Sequence, residues 1–329
     1  MAGKVTLNFN LIEAAATRLK GHARVTPLLN SPFLDDIAGR RVWVKAECLQ
    51  HTGSFKFRGG WSAVSALTGE GGVLAYSSGN HAQGVAAAAK AHGRAAVIVM
   101  PSDAPAIKLA NTRALGADVV TYDRTTENRE EIGAALAKAR DLTLIRPYDE
   151  PQVIAGQGTV GLEIAQQTAE AEVDSGEVLV CCGGGGLTSG IALALAEAAP
   201  SFRVRPVEPA GFDDVARSLA AGKIERNATL GGSICDSIVT PQPGNITFPI
   251  MKKLCDSGLV VTDEEALRAV AAAFQRLKIV VEPGGAVALA AALYHGSEIE
   301  GDDVVVVATG GNVDPAIFAT AISTYGDGR

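Results

Sequence analysis

Short runs of β-branched residues alternate with alanine-rich stretches along almost the whole chain. RVWVKAE, VLAYSS, AAVIVMP, DVVTYD, LTLIRPY, EVLVCC, FRVRPVE and DDVVVVA read as strands. Between them, AQGVAAAAKAHG, PAIKLANTRALGA, ENREEIGAALAKARD and LTSGIALALAEAA have the length and composition of helices. Strand–helix alternation implies parallel sheets covered on both faces. Near-continuous apolar strands such as VVVVA fit that double burial. The expected class is α/β, with two parallel-sheet domains. Four strand–helix units from about Gly72 to Tyr148 suffice for a small domain of their own, and the loop IRPYDEPQVIAGQG leads into a second set. We therefore expect a small mobile domain, 66–150, inserted into a large one made of 1–65 and 151–329, with the active cleft between them.

Composition narrows the function classes. A chain of 329 residues that is 47% hydrophobic and 20% charged builds a substantial core. A net charge of -7, with no basic stripe, argues against nucleic acid as a partner. The segment MAGKVTLNFNLIEAAATRLK lacks the apolar core of a signal peptide. Apolar runs such as AVALAAAL, from Ala286 to Leu293, are too short to span a membrane. The five cysteines, Cys48, Cys181, Cys182, Cys235 and Cys255, form no C-x-x-C, and two are adjacent. That suits neither a disulfide framework nor a zinc site, so free thiols in a reducing cytoplasm are expected.

Two motifs carry chemistry. In HTGSFKFRGGW, Lys56 stands between Phe55 and Phe57. A snorkelling lysine would read this way, and so would an amine kept from water to act as a nucleophile. In CCGGGGLTSG, Gly183 to Gly186 follow the strand EVLVCC and open a helix. Four glycines allow close backbone approach and positive φ, and successive amides at a helix start converge on an anion. The run lacks the Gly-Lys-Ser/Thr of a Walker loop and the spacing of G-x-G-x-x-G, so a small cofactor with one phosphate is the economical choice. A phosphate-anchored cofactor beside a desolvated amine suggests pyridoxal phosphate held by Lys56 as a Schiff base. Free lysine, with a pKa near 10.4, is unprotonated in only about one molecule in several thousand at neutral pH. Burial lowers that pKa by up to ~3–5 units, and Phe55 and Phe57 would be walls that exclude water.

TGSFKFRGG, SSGNHAQG, GGGGLTSG, VEPAGFDD and ATGGN, in this order and spacing, resemble the serine/threonine dehydratase and serine racemase family, whose members are fold type II pyridoxal-phosphate enzymes. The resemblance runs from Arg24-Val25-Thr26-Pro27-Leu28 to Thr309-Gly310-Gly311-Asn312. It implies that the large domain binds the cofactor and that Lys56 is both the Schiff-base lysine and a catalytic base. Phe55 would pack against the pyridine ring, Asn80 would bond the ring hydroxyl, and Gly183, Gly184, Gly185, Gly186 and Leu187 would hold the phosphate. Ser77, Ser78, Gly79, Asn80 and His81 would grip the substrate α-carboxylate. Ser78 also matches the second base of serine racemases. Thr309 would face the pyridine nitrogen, where a neutral hydroxyl, unlike an aspartate, need not hold that nitrogen protonated. A shallower electron sink favours quick loss of a β-leaving group. Glu208, Asp214 and the Phe212 carbonyl match a structural divalent-cation site suited to Mg²⁺ or Ca²⁺. Tyr148 is a departure, since serine racemases tend to carry asparagine there. The chain ends soon after ATGGN, so feedback inhibition through a C-terminal regulatory domain is not expected.

The resemblance implies dehydration of a small β-hydroxy amino acid (serine, threonine or 3-hydroxyaspartate) to a 2-oxo acid and ammonia. The alternatives are a serine racemase with side dehydratase activity and a dedicated 3-hydroxyaspartate dehydratase; a β-replacing synthase ranks below both. The dicarboxylic substrate needs a cation for its second carboxylate. Arg129 is the residue placed among the substrate-binding candidates, with His51, His81 and Arg146 also considered. Glu127, Glu130 and Glu131 lie close enough to Arg129 to make it an ordinary solvated helix residue as well. A homodimer is the assembly the resemblance implies.

Overall fold

The computed structural model describes residues 6–326 apart from 78, 105, 124 and 230. Its strands, in chain order, are β1 (Leu28–Asn30), β2 (Arg41–Lys45), β3 (Gly72–Tyr76), β4 (Ala96–Pro101) and β5 (Asp118–Tyr122). They continue with β6 (Leu142–Leu144), β7 (Gly176–Cys181), β8 (Phe202–Pro209), β9 (Leu259–Val261) and β10 (Asp303–Val307). One sheet has the order β1-β2-β10-β7-β8-β9 and the other β5-β4-β3-β6. Every pair is parallel except β1 with β2. This is the α/β class expected, and all eight expected strands are present. Strands β1 and β9 were not anticipated, because three residues are too few to show a period. The VVVV run of β10 lies between β2 and β7, with Val304 to Val307 fully buried.

One expectation is corrected. IRPYDEPQVIAGQG is not all loop: from Pro151 it is part of the 20-residue helix Pro151–Glu170. The Glu150 side chain accepts from Gln152 N, and Pro151 occupies a first-turn position where its missing N–H costs nothing. The glycines that suggested a loop are points of close approach. A Cβ on Gly156 would collide with the Arg58 carbonyl oxygen, and one on Gly158 would stand 2.8 Å from that of Gly190.

The helix Lys56–Ser65 packs against both Asn80–Ala91 and Pro151–Glu170, so Lys56 starts the element that joins the layers of the two sheets. A buried ion network fixes it there. Arg58 reaches Glu47 Oε1 at 2.7 Å and Glu163 Oε1 at 2.6 Å, while Lys45 Nζ reaches Glu163 Oε2 at 2.6 Å. Thr26 Oγ1 donates to Glu47 Oε1, and Lys45 Nζ donates to the Thr26 carbonyl. Burial alone would lower the Arg58 pKa, but Glu47 and Glu163 more than reverse it. Burial would likewise raise Glu47, and Arg58 overrides it. Every charge in this cluster has an opposite charge in hydrogen-bond contact, as burial demands. The five cysteines are free thiols. Among the described residues no helix is long and apolar enough to cross a membrane.

Candidate active site

A cavity of about 200 Å³ is lined by the loops that follow β3, β7 and β10, at the carboxyl ends of both sheets. Open parallel sheets place their ligands at such ends. Lys56 lines it from the start of its helix. The turn before it needs glycine: Gly53 has φ 75°, and a Cβ there would sit 2.7 Å from the Asn312 side chain. This turn is tied to the loop after β10, with Phe55 N donating to the Thr309 carbonyl and Gly311 N to that of Gly53. The Lys56 amine donates to the Pro147 carbonyl at 2.7 Å and lies 5.0 Å from the centre of the Phe55 ring. Burial lowers its pKa to about 8. Phe55 lines the cavity, but Phe57 does not. Phe57 packs on His51 and Trp61 in the core around β3 and β4, so the expected pair of walls is a single wall.

Gly183 to Gly186 lead from β7 into the helix Gly186–Ala198, whose start carries no side-chain cap. Gly185 has φ 87°. A Cβ on Gly184 would collide with the Tyr148 ring, and one on Gly185 would fall 2.5 Å from Met251 Cε. The Thr188 hydroxyl nearby is buried without a partner. Leu187 and Thr188 line the cavity with the glycines. This cradle admits backbone amides where any side chain would be excluded.

On the other wall, Asn80 starts the helix Asn80–Ala91, donates to Glu282 Oε1 at 2.6 Å and accepts from Asn312 Nδ2 at 2.7 Å. His81 is buried. Its Nε2 bonds the Ile145 carbonyl, its Nδ1 has no partner, and burial followed by the Lys56 charge lowers its pKa to about 3. It is neutral, which removes it as a cation for a substrate carboxylate. Ser77, Gly79 and the buried Thr309 also line the cavity. Ser78 lies outside the described residues. Arg129 is the exposed first residue of the helix Arg129–Arg140 and does not line the cavity; neither do His51 and Arg146.

The family model for pyridoxal-phosphate dependent enzymes matches residues 19–310. The chain belongs to that family. It is 44% identical to L-threo-3-hydroxyaspartate ammonia-lyase of Pseudomonas sp, over 94% of this chain and 96% of that protein. It is 39% identical to serine racemase of Schizosaccharomyces pombe, over 95% and 96%. The crystal structure of a T.th. threonine deaminase superposes with a TM-score of 0.90 at 45% identity, over 93% of this chain and 99% of that one.

The residues fit the cofactor of a pyridoxal-phosphate dependent enzyme. The amide cradle that a Cβ would fill suits a phosphate, and the Lys56 amine, bonded only to a carbonyl, is poised to lose its proton. Glu282 was missed by the sequence reading. It is buried in the cavity wall, and burial raises its pKa to about 7. Its signal was an acid inside the otherwise apolar VVEPGGA. Lys108 and Asp236 of the wall were missed too.

Farther out, Glu208 and Asp214 are both fully buried. Glu208 accepts from Val215 N and Ala216 N, and burial, then Asp214, raises its pKa well above the usual carboxylate range. Burial raises Asp214 to about 6; Asn227 donates to its Oδ1, while its Oδ2 has no partner. Phe212 is buried beside them in the chain. Among the described residues, no three His, Cys, Asp or Glu side chains form a metal cluster.

Proposed function

We propose that this pyridoxal-phosphate dependent enzyme is an ammonia-lyase that removes water from a small β-hydroxy amino acid, with 3-hydroxyaspartate first and serine or threonine next. The observation that carries the proposal is the Lys56 amine, enclosed at the cavity with a pKa near 8 and no carboxylate partner. The relatives' activities support the choice of substrate class.

Gly183 to Leu187 would hold the cofactor phosphate, Lys56 its aldehyde carbon, Phe55 one ring face, Asn80 the ring hydroxyl and Thr309 the ring nitrogen. When bound, the cofactor withdraws electrons from the carbon bearing the substrate amine. Lys56 Nζ would take the proton from that carbon, and a base with a pKa near the working pH does so most effectively. Ser77, Gly79 and Asn80 would orient the substrate through its α-carboxylate. Thr309, being neutral, leaves no fixed negative charge at the ring nitrogen and so favours prompt loss of the β-hydroxyl. The unsaturated amine released becomes a 2-oxo acid and ammonia in water. A divalent cation would sit on Glu208, Asp214 and the Phe212 carbonyl, supported by the unpartnered buried Asp214 oxygen, and would tie the segment after β8 together.

The test is ammonia release from L-serine, L-threonine, D-serine and the 3-hydroxyaspartate isomers, with and without chelator. We expect release from a 3-hydroxyaspartate isomer above all, weakened by chelator. Silence towards every β-hydroxy amino acid would end the proposal.

A further inference from the structure

Among the described residues, three basic side chains line the cavity: Lys56, His81 and Lys108. Lys56 is committed to the chemistry, and His81 is buried, neutral and bonded to the Ile145 carbonyl. Lys108 remains. It belongs to the helix Ala106–Ala114, beside the four-stranded sheet, and its ammonium reaches across to the segment around Cys235. There it meets Asp236 Oδ2 at 3.4 Å. That contact is long, and the Asp236 side chain is 71% exposed, whereas that of Lys108 is 26% exposed. Exposed pairs of this kind are weakly held.

We propose that Lys108 is the specificity-determining cation of this site, taking the second carboxylate of a dicarboxylic hydroxy amino acid in exchange for Asp236. The inference rests on the lyase reading above and deepens it by naming the residue that selects the substrate. An ionised carboxylate that leaves water for a half-enclosed cavity needs an opposite charge. The rest of the wall offers no second cation, since Asp236 and Glu282 are acids and the remaining donors there, amides and hydroxyls such as those of Gly183 to Gly186, Ser77 and Thr188, are neutral. Asp236 loses little on release, because its carboxylate turns to solvent. A substrate with a neutral side chain leaves the Lys108–Asp236 pair intact. The exchange therefore favours two carboxylates over one without closing the site to serine.

The experiment compares L-aspartate with L-asparagine, which have the same shape and differ by one charge. Binding to the holoenzyme is read by calorimetry, alongside ammonia release from L-threo-3-hydroxyaspartate and L-serine. Wild type should bind aspartate about ten- to a hundredfold more tightly than asparagine, as a charge-assisted bond implies. Lys108→Gln should bring that ratio close to one, lower kcat/KM for hydroxyaspartate by the same factor and leave serine within about threefold; Lys108→Arg should restore the ratio. A preference that survives in Lys108→Gln, a wild type with no preference, or a parallel fall in serine and hydroxyaspartate would each overturn the proposal. The binding ratio needs no turnover. A wild type that prefers aspartate through Lys108 yet releases no ammonia would support Lys108 as the carboxylate receptor while ending the lyase reading.

Discussion

Two groups of buried ionisable side chains lie on either side of one short helix, and they are treated in opposite ways. Behind it, Lys45, Glu47, Arg58 and Glu163 neutralise one another in contacts of 2.6–2.7 Å. In front of it, Lys56, His81 and Glu282 are enclosed with only carbonyl or amide partners. Their pKa values are driven towards the neutral form, to about 8, about 3 and about 7. Compensated burial makes a rigid support; uncompensated burial favours the neutral form, which leaves His81 uncharged and brings Lys56 and Glu282 to titrate near neutral pH. Lys56 and Arg58 are two residues apart in sequence and belong to different groups, because successive residues on a helix leave in different directions. The support and the reactive amine are thus built from one turn.

The largest expected effect is at Lys56. Lys56→Ala should lower turnover by more than about 10³-fold, the scale set by loss of a combined base and covalent anchor. The purified variant should carry no covalently fixed cofactor after borohydride treatment. Activity retained in that variant would place the chemistry elsewhere and dissolve the contrast between the two groups. Arg58→Met comes next, and its effect should fall on stability. It leaves Glu47, which is fully buried, without its main partner, a change of about 3–5 kcal/mol. Urea unfolding of the variant measures it. A loss below about 1 kcal/mol would mean that the network is not what holds the helix.

How far this contrast was legible in the sequence depended on period and neighbours. SFKFR and GGGG were visible as local patterns, and the strands β2 to β8 and β10 were visible as apolar runs. The helix Pro151–Glu170 was partly hidden because its glycines imitate loop signals while serving close contacts with Arg58 and Gly190. Phe57 could not be separated from Phe55, since the side from which a residue leaves a helix start depends on the cap, not on composition. Glu282 and Lys108 join the site only through folding. Glu282 meets Asn80 across 202 positions, and Lys108 meets Asp236 across 128. Spacing of that length carries no local signal.

A smaller effect is expected at the cradle. Gly184→Ala places a methyl against the Tyr148 ring, which must shift because the Cβ position lies far inside van der Waals distance of a ring carbon. Overpacking of this kind costs about 1–3 kcal/mol. If Gly183 to Gly186 hold the phosphate, the cost should be read as weaker uptake of pyridoxal phosphate, about tenfold or more, with the fold intact by circular dichroism. Unchanged uptake would show that the phosphate rests on another surface.

Glu282 offers the subtlest test, because its effect changes with pH. Its folded pKa is about 7, raised chiefly by burial, against 4.5 in the unfolded chain. Between those values the folded state keeps a proton that the unfolded state has released, so stability falls as pH rises through the window. Below pH 4.5 both states hold the proton and the penalty is absent; above about pH 7 it is fully present. Glu282→Gln keeps an acceptor for Asn80 and removes the charge. It should therefore match wild type at about pH 4.5 and exceed it at about pH 8 by on the order of 1–2 kcal/mol, the shift being discounted because the side chain lines a cavity that water can enter. Unfolding of the cofactor-free protein at the two pH values reads the difference directly. A variant less stable than wild type at about pH 8 would place Glu282 with the compensated charges behind the helix, where the pKa of Glu47 is lowered. The division between the two groups would then have to be redrawn through the cavity wall itself.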